Sequence, residues 1–193
     1  MWKHRGMSKA RDAQLDEVLI GGREQRPVEV MDYDDAWPSR FEYFAERVRA
    51  TLGDRALSIE HIGSTAVAGL AAKPIIDILL VVDDVQDESA YVTALGEAGF
   101  SLRVREPHHR MLRTPEKDVH LHVCEPGSAE IDAYLDLRDW LRVSAQDRAL
   151  YAARKWELAR QEWSDMNYYA DAKSETVQAI LDRARTWRTV QGQ

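Results

Sequence analysis

The strongest structural signal of the chain lies in EHIGSTAVAGLAAKPIIDI, which runs from Glu60 to Ile78. Apolar and polar residues alternate over 57–62, which predicts a strand, and Gly63-Ser64 ends it. The most hydrophobic segment of the chain follows at 75–82, with a single charge, Asp77, inside it. Apolar residues on both faces of this segment predict a central strand of a sheet.

The amino-acid composition and net charge exclude several classes of protein. The chain has 193 residues, of which 45% are hydrophobic and 31% charged, and this apolar fraction excludes a disordered chain. Asp77 interrupts the longest apolar run, so no membrane span is expected. The single cysteine, Cys124, cannot form an intramolecular disulfide, which favours a cytoplasmic location. A net charge of −7 argues against general nucleic-acid binding.

The chain divides into an extension and one domain. Residues 1–26 carry six basic and four acidic residues, have no apolar signal-peptide core, and are expected to be loosely attached. Residues 27–190 are expected to form one unit because no linker rich in Gly, Pro or Ser divides them. We expect an α/β core over 27–126 and a helical part over 127–190.

Hydrophobic periodicity gives the fold class. Helical spacing follows Pro38, and nearly all of 128–190 is compatible with helix. The pattern therefore predicts an α+β protein, a sheet with flanking helices and a helical C-terminal part. Strands are predicted at 28–31, 57–62, 75–82, 100–105, 109–114 and 119–125.

Gly63, Ser64 and Asp77 suggest phosphate chemistry. A glycine at a strand end lets a phosphate approach the backbone, and Ser64 and nearby amides can donate hydrogen bonds to it. Asp77 on the next strand could hold the divalent ion that neutralises the phosphate. Spacing alone favours an ordinary turn and a charge at the end of a buried strand. A carboxylate inside so apolar a strand shifts the balance toward a functional site.

Two further groups of side chains have a functional and a structural interpretation. His120 and His122 lie on one face of a predicted strand, where they could bind metal or phosphate or simply face solvent. The basic residues of 103–117 could bind a phosphate-bearing ligand or simply be the charged residues of a solvent-exposed hairpin. These basic residues are Arg103, Arg105, Arg110, Arg113 and Lys117.

A repeated phrase, Tyr-Ala-x-x-Lys, places Tyr151 with Lys155 and Tyr169 with Lys173. The i, i+4 spacing puts each pair on one face of a helix. The two lysines could close over a triphosphate. Alternatively, each tyrosine packs in the core while its lysine extends to solvent.

Taken together, these phrases resemble the GrpB-like family, which has a nucleotidyltransferase superfamily fold and also occurs fused to dephospho-CoA kinase. The resemblance covers roughly residues 28–185. It is carried by Tyr33–Trp37 with Pro38, by Glu60–Val67 and Gly69–Ile78, by His120–Val123 and Leu137–Arg142, and by the two Tyr-Ala-x-x-Lys phrases.

The resemblance implies a nucleotidyltransferase-like mixed sheet and a set of site residues. Asp77 would be catalytic and would hold a divalent metal, Mg²⁺ or Mn²⁺, or Zn²⁺ through the histidine pair. One departure matters, because Leu79 stands where the superfamily places a second carboxylate. The implied phosphate-binding residues are Gly63, Ser64, Thr65, Lys73, Arg138, Lys155 and Lys173, and the implied metal ligands are Asp77, His120, His122 and Glu60.

Two functions are compatible with this pattern. The first is a metal-dependent nucleotidyltransferase that transfers a nucleotidyl group from a nucleoside triphosphate to a small molecule or a protein. The second is a non-catalytic module that binds a nucleotide, a CoA-related compound or another phosphorylated small molecule and regulates a partner enzyme. The second explains Leu79 directly, since a two-metal site normally needs about three carboxylates.

Overall fold

A computed structural model of the protein describes residues 8–191, and a five-stranded mixed sheet lies at its centre. The strand order is β1-β2-β5-β4-β3. The strands are β1 (Ser58–Ile62), β2 (Ile76–Val81), β3 (Ser101–Glu106), β4 (His109–Arg113) and β5 (Val119–Cys124). The helices are α1 (Ser8–Val18), α2 (Trp37–Leu52), α3 (Val92–Glu97), α4 (Ala129–Val143), α5 (Ala145–Ala159), α6 (Met166–Asp171) and α7 (Ser174–Gln191).

The predicted fold class, an α+β mixed sheet with flanking helices and a helical C-terminal part, is confirmed. β2 runs parallel to β5, whereas the β1–β2, β4–β5 and β3–β4 pairs are antiparallel. The register places Asp77 opposite Ile62 of β1 and opposite His120 of β5. Facing residues of paired strands project to the same side, so this register gathers the polar side chains on one face of the sheet.

One predicted strand is wrong. Residues 28–31 form no named strand, and only Met31 pairs, in an isolated bridge with Ala72. Val28 and Val30 instead pack against Leu158 and Tyr169 of the helical part. The apolar side chains of this segment therefore alternate with other residues because they pack against helices, and not because they belong to a sheet.

The two faces of the sheet have different partners. Ile78, Leu80 and Leu121 pack beneath α2 and α3 in the main core. Leu79 points to the opposite face, where it packs with Ile62, Val81, Cys124 and side chains of α4. Burying apolar side chains on both faces of β2 explains why the segment is so hydrophobic.

The helical part attaches directly behind the Gly-Ser turn. Val67 and Leu70, which follow the turn, pack with Leu141 of α4, Tyr151 of α5 and Ile180 of α7. This cluster fixes α5 above the turn. None of the helices within residues 8–191 has the length and apolar character that crossing a bilayer requires.

Residues 8–26 contact the domain, contrary to the loose attachment that we expect from the sequence; residues 1–7 lie outside the described part. Leu15 is buried, and the Arg103 guanidinium donates hydrogen bonds to the carbonyls of Ile20 and Gly22. Glu24 accepts hydrogen bonds from Arg113 at 2.6 Å and Lys117 at 3.1 Å. Charge pairs between segments distant in sequence hold the extension, and the local composition does not reveal them.

Candidate functional site

The Gly-Ser turn lies directly against Asp77. Gly63 ends β1 with a φ of 69°, in the left-handed region that favours glycine. A β-carbon at this position would overlap Asp77 Oδ2 and would lie 3.0 Å from the Cβ of Asp77. Glycine is therefore required both by the backbone conformation and by the close approach of the carboxylate.

Asp77 forms a three-residue group with the predicted histidine pair. Its Oδ1 lies 3.4 Å from His120 Nδ1 and 3.5 Å from His122 Nε2. Candidate ligand atoms of the three residues all lie within 4.8 Å of one another, which suits a shared metal ion. Burial opposes ionisation, but His120 and His122 beside the carboxylate hold the pKa of Asp77 well below its usual range.

Sequence analysis missed a second layer of contacts around His122. Its Nδ1 lies 3.1 Å from His109 Nε2 and 3.5 Å from the hydroxyl of Tyr134. His109 in turn contacts a Glu106 carboxylate oxygen at 2.8 Å. The alternation of β4 could have shown that His109 shares a face with His120 and His122, but only with the β4–β5 register known.

Three lysines gather on the other side of the turn. Lys155 is buried and donates a hydrogen bond to Ser64 Oγ at 2.9 Å. Lys73 and Lys173 both lie over the ring of Tyr169, at 5.1 and 4.7 Å from its centroid. Among residues 8–191, no carboxylate lies within ion-pair distance of any of the three ammonium groups. Such a cluster of unpaired cations favours a polyanionic ligand.

Burial perturbs these lysines strongly. Desolvation, reinforced by the neighbouring Lys173, lowers the pKa of Lys155 to about 6 and that of Lys73 to about 8. Desolvation also lowers the pKa of Lys173. The charged forms are costly in the free protein, and a bound anion would relieve that cost.

Three other predicted site residues are engaged by groups of the protein itself, and of these Arg138 still lines the cavity described below. Thr65 is buried and its hydroxyl donates to the carbonyl of Ile75 at 3.1 Å, so it stabilises the turn. Arg138 donates to Glu60 at 2.8 Å and to Asp139 at 2.7 Å, which satisfies its charge. Glu60, engaged in that pair, is outside the metal-ligand group formed within residues 8–191. The packing of α4 beside β1 accounts for the pairing of Arg138 with Glu60, and the segment before β2 engages Thr65.

The basic residues of 103–117 are also engaged. Arg105 and Arg110 pair with Glu88 at 2.7 and 2.6 Å. Arg103, Arg113 and Lys117 hold the N-terminal segment, as described above. Four of these five residues are ion-paired and the Arg103 guanidinium is engaged by carbonyl oxygens, an arrangement typical of a structural hairpin.

A cavity of about 480 Å³ joins the two groups. Asp77, His120 and His122 lie along it together with Ser64 and the three lysines. Residues of the N-terminal segment, Leu15 and Arg26 among them, form part of its wall. The cavity thus combines a candidate cation site with an anion-binding surface.

A mixed sheet with flanking helices, in which a Gly-Ser turn faces an aspartate of the neighbouring strand, defines an α+β class of protein. Within that class, the family model described as "GrpB protein" matches residues 27–183, and the chain belongs to the GrpB family.

Relatives and one solved structure extend this similarity. A UPF0157 protein of Halalkalibacterium halodurans is 48% identical over 90% of this chain and 91% of its own length. The crystal structure of the conserved protein GrpB from Enterococcus faecalis has a TM-score of 0.74 and 29% identity, and the match covers 82% of this chain and 99% of that one. A dephospho-CoA kinase of Mycolicibacterium paratuberculosis is 26% identical over 83% of this chain and 47% of the kinase.

Proposed function

We propose that the protein is a metal-dependent nucleotidyltransferase that binds a nucleoside triphosphate in the cavity and transfers its nucleotidyl group to a hydroxyl of a small molecule or a protein. The observation that carries this proposal is the joining of two groups in one cavity: Asp77 with two histidines, and Ser64 with three lysines that have no carboxylate partner within residues 8–191. Phosphoryl chemistry depends mainly on positioning and on charge neutralisation, and this arrangement supplies both.

Each residue has a role in this proposal. Ser64 and the backbone at Gly63 hold the β- and γ-phosphates, and Lys73, Lys155 and Lys173 neutralise their charge. The acceptor oxygen bonds to the α-phosphorus as the bond to pyrophosphate breaks, and the hydroxyl proton is released. Asp77 is the catalytic residue of this proposal, a role supported by its being, over residues 8–191, the one carboxylate grouped with His120 and His122.

The ligand set fits one cation better than two. Asp77, His120 and His122 supply one carboxylate and two imidazoles, a combination that suits Mn²⁺ or Zn²⁺ more than Mg²⁺. A bound divalent cation would neutralise phosphate charge and polarise the reacting phosphate. The second carboxylate of the superfamily has no counterpart here, because Leu79 is fully buried among apolar side chains.

The buried Leu79 favours a second candidate, a non-catalytic module that binds a nucleotide or a CoA-related compound. The similarity to part of a dephospho-CoA kinase supports a role beside a partner enzyme. In this proposal the lysines and Ser64 retain their phosphate contacts, but no bond is broken.

A thermal-shift screen combined with a pyrophosphate assay tests both candidates. Nucleoside triphosphates and CoA would be screened with and without Mg²⁺, Mn²⁺ and Zn²⁺. We expect a triphosphate with Mn²⁺ or Zn²⁺ to raise the Tm, because a ligand that binds only the folded state stabilises it. Pyrophosphate release supports the transferase, and stabilisation without release supports the binding module. The absence of both stabilisation and pyrophosphate release would overturn both candidate functions.

The buried lysine gives a prediction of opposite effects on stability and binding. Lys155→Met should raise the free energy of unfolding at pH 7 by about 1–3 kcal/mol, since an apolar side chain of similar length removes the cost of desolvating and deprotonating a buried lysine. The same change should weaken triphosphate binding about tenfold or more. Thermal unfolding and calorimetric titration measure the two effects, with the exposed Lys9→Met as the matched control.

The pH dependence of stability provides a check on this prediction. Because the folded-state pKa of Lys155 is lowered to about 6, the unfolded chain binds the extra proton between pH 6 and the ordinary lysine pKa. The stability of the wild type relative to Lys155→Met should therefore rise as pH rises from 6 to 9. A stability difference that is constant over this range would contradict the buried, perturbed lysine.

A further inference from the structure

A chain of polar contacts leads from β3 through β4 to the candidate metal ligand His122. Glu106 Oε2 lies 2.8 Å from His109 Nδ1, and His109 Nε2 lies 3.1 Å from His122 Nδ1. The imidazole rings of His109 and His122 stack with centroids 5.3 Å apart and planes inclined by 21°. Both are largely buried, with side chains 13% and 18% exposed. This series of polar contacts, from Glu106 to His122, is thus held in place and partly shielded from water.

The sheet itself delivers these residues. Glu106 and His109 face each other at the end of the β3–β4 hairpin, and Met111 of β4 pairs with His122 of β5. His109 lies two residues before Met111 and therefore projects to the same face of the sheet. The contact between the two histidines follows from strand register and not from a mobile loop.

The Glu106 carboxylate determines the direction of the hydrogen bonds, because it can only accept them. The contact with His109 holds the pKa of Glu106 below its usual range, so its carboxylate is ionised and only accepts. His109 Nδ1 must then carry the proton that it donates to Glu106. In the neutral imidazole this leaves His109 Nε2 as an acceptor, and His122 Nδ1 donates to it.

This assignment fixes what His122 presents to Asp77. With its proton on Nδ1, His122 turns the lone pair of Nε2 toward Asp77 Oδ1, 3.5 Å away. Two acceptors that face each other at this distance repel unless a proton or a metal cation lies between them, and a divalent cation would take that position when bound. His120 Nδ1, 3.4 Å from the same oxygen, offers a further ligand nitrogen to that cation.

We propose that Glu106 and His109 are positioning residues of the metal site: they hold His122 in the tautomer that ligates a divalent cation through Nε2. The inference rests on the metal site of the proposed function and extends it to a carboxylate and a histidine, Glu106 and His109, that lie behind the ligand His122. Metal-bound histidines usually donate their other N–H group to such a partner, and losing the partner typically lowers metal affinity 10- to 100-fold.

Calorimetric titration of the full chain with Zn²⁺ and Mn²⁺ tests the proposal, with no nucleotide present. His109→Phe retains the ring stack but removes the acceptor for His122, and should weaken affinity about 10- to 100-fold. His109→Gln retains a carbonyl acceptor toward His122 and an amide donor toward Glu106, and should recover most of the affinity. His108→Phe, which alters the exposed neighbouring histidine, is the matched control and should bind as the wild type does.

A spectroscopic readout separates positioning from a merely structural role. Co²⁺ in place of Zn²⁺ should give a visible absorption spectrum that changes in His109→Phe and in Glu106→Gln but not in His108→Phe. The three variants should have the same Tm as the wild type, which shows that the spectral change does not come from unfolding. Equal Zn²⁺ affinity and equal Co²⁺ spectra in His109→Phe and the wild type would overturn the positioning role alone. A wild type that binds none of these ions would overturn the metal site itself.

Discussion

Asp77→Asn should lower nucleotidyl transfer by about 10³-fold or more while leaving the fold intact. The amide keeps the size of the side chain but loses the charge that faces His120 and His122, so a divalent cation loses its single carboxylate ligand. The loss falls on charge stabilisation of the reacting phosphate, which is usually the largest contribution to such catalysis. Pyrophosphate release measures the rate, and circular dichroism verifies the fold.

The control for this change is Asp83→Asn, which alters an exposed aspartate just beyond the other end of β2. It should leave transfer unchanged. If Asp77→Asn and Asp83→Asn were equally active, Asp77 would have no catalytic role. If the wild type bound triphosphate without releasing pyrophosphate, and Asp77→Asn abolished only metal-dependent binding, the binding module would be the better account.

Gly63→Ala should damage both stability and the site. An alanine at a φ of 69° costs about 1–2 kcal/mol, and its β-carbon would also overlap Asp77 Oδ2. We therefore expect a loss of about 2–4 kcal/mol in the free energy of unfolding and a metal affinity at least about tenfold lower, because the carboxylate must move. Urea unfolding and Zn²⁺ titration measure the two losses.

Gly69→Ala separates the two causes. Gly69 has a similar φ of 75°, but a β-carbon there would meet no atom within 4 Å. It should show the backbone cost alone and retain full metal affinity. Equal losses of stability and equal metal affinity in the two variants would show that the contact between Gly63 and Asp77 has no consequence.

The sequence indicates the centre of the site because that centre is built from neighbouring strands. Gly63-Ser64 ends one strand and Asp77 lies on the next, so an antiparallel pair brings them together with little freedom. The histidine pair needs only that the strand at 119–125 lies beside the strand at 75–82. The Tyr-Ala-x-x-Lys spacing likewise places Lys155 near the ring of Tyr151, at 4.5 Å from its centroid.

The rest depends on partners that local patterns do not specify. Thr65 and Arg138 have side chains typical of phosphate binding, but the carbonyl of Ile75 and the carboxylates of Glu60 and Asp139 engage them first. Such choices follow from how α4 and the Gly-Ser turn pack against the sheet. No spacing rule encodes the contacts with Ile75 and Glu60, since each of these partners lies outside the element of the residue that it engages.

The parallel pairing of β2 with β5 has a consequence for the order of folding. Asp77 and His120 are far apart along the chain, and the β3–β4 hairpin lies between them in sequence. Closing so long a loop is slow and comes after local hairpins and helices have formed. Only the completed central pair creates the candidate metal site, so an ion that binds there would slow unfolding and leave the early steps of refolding unchanged.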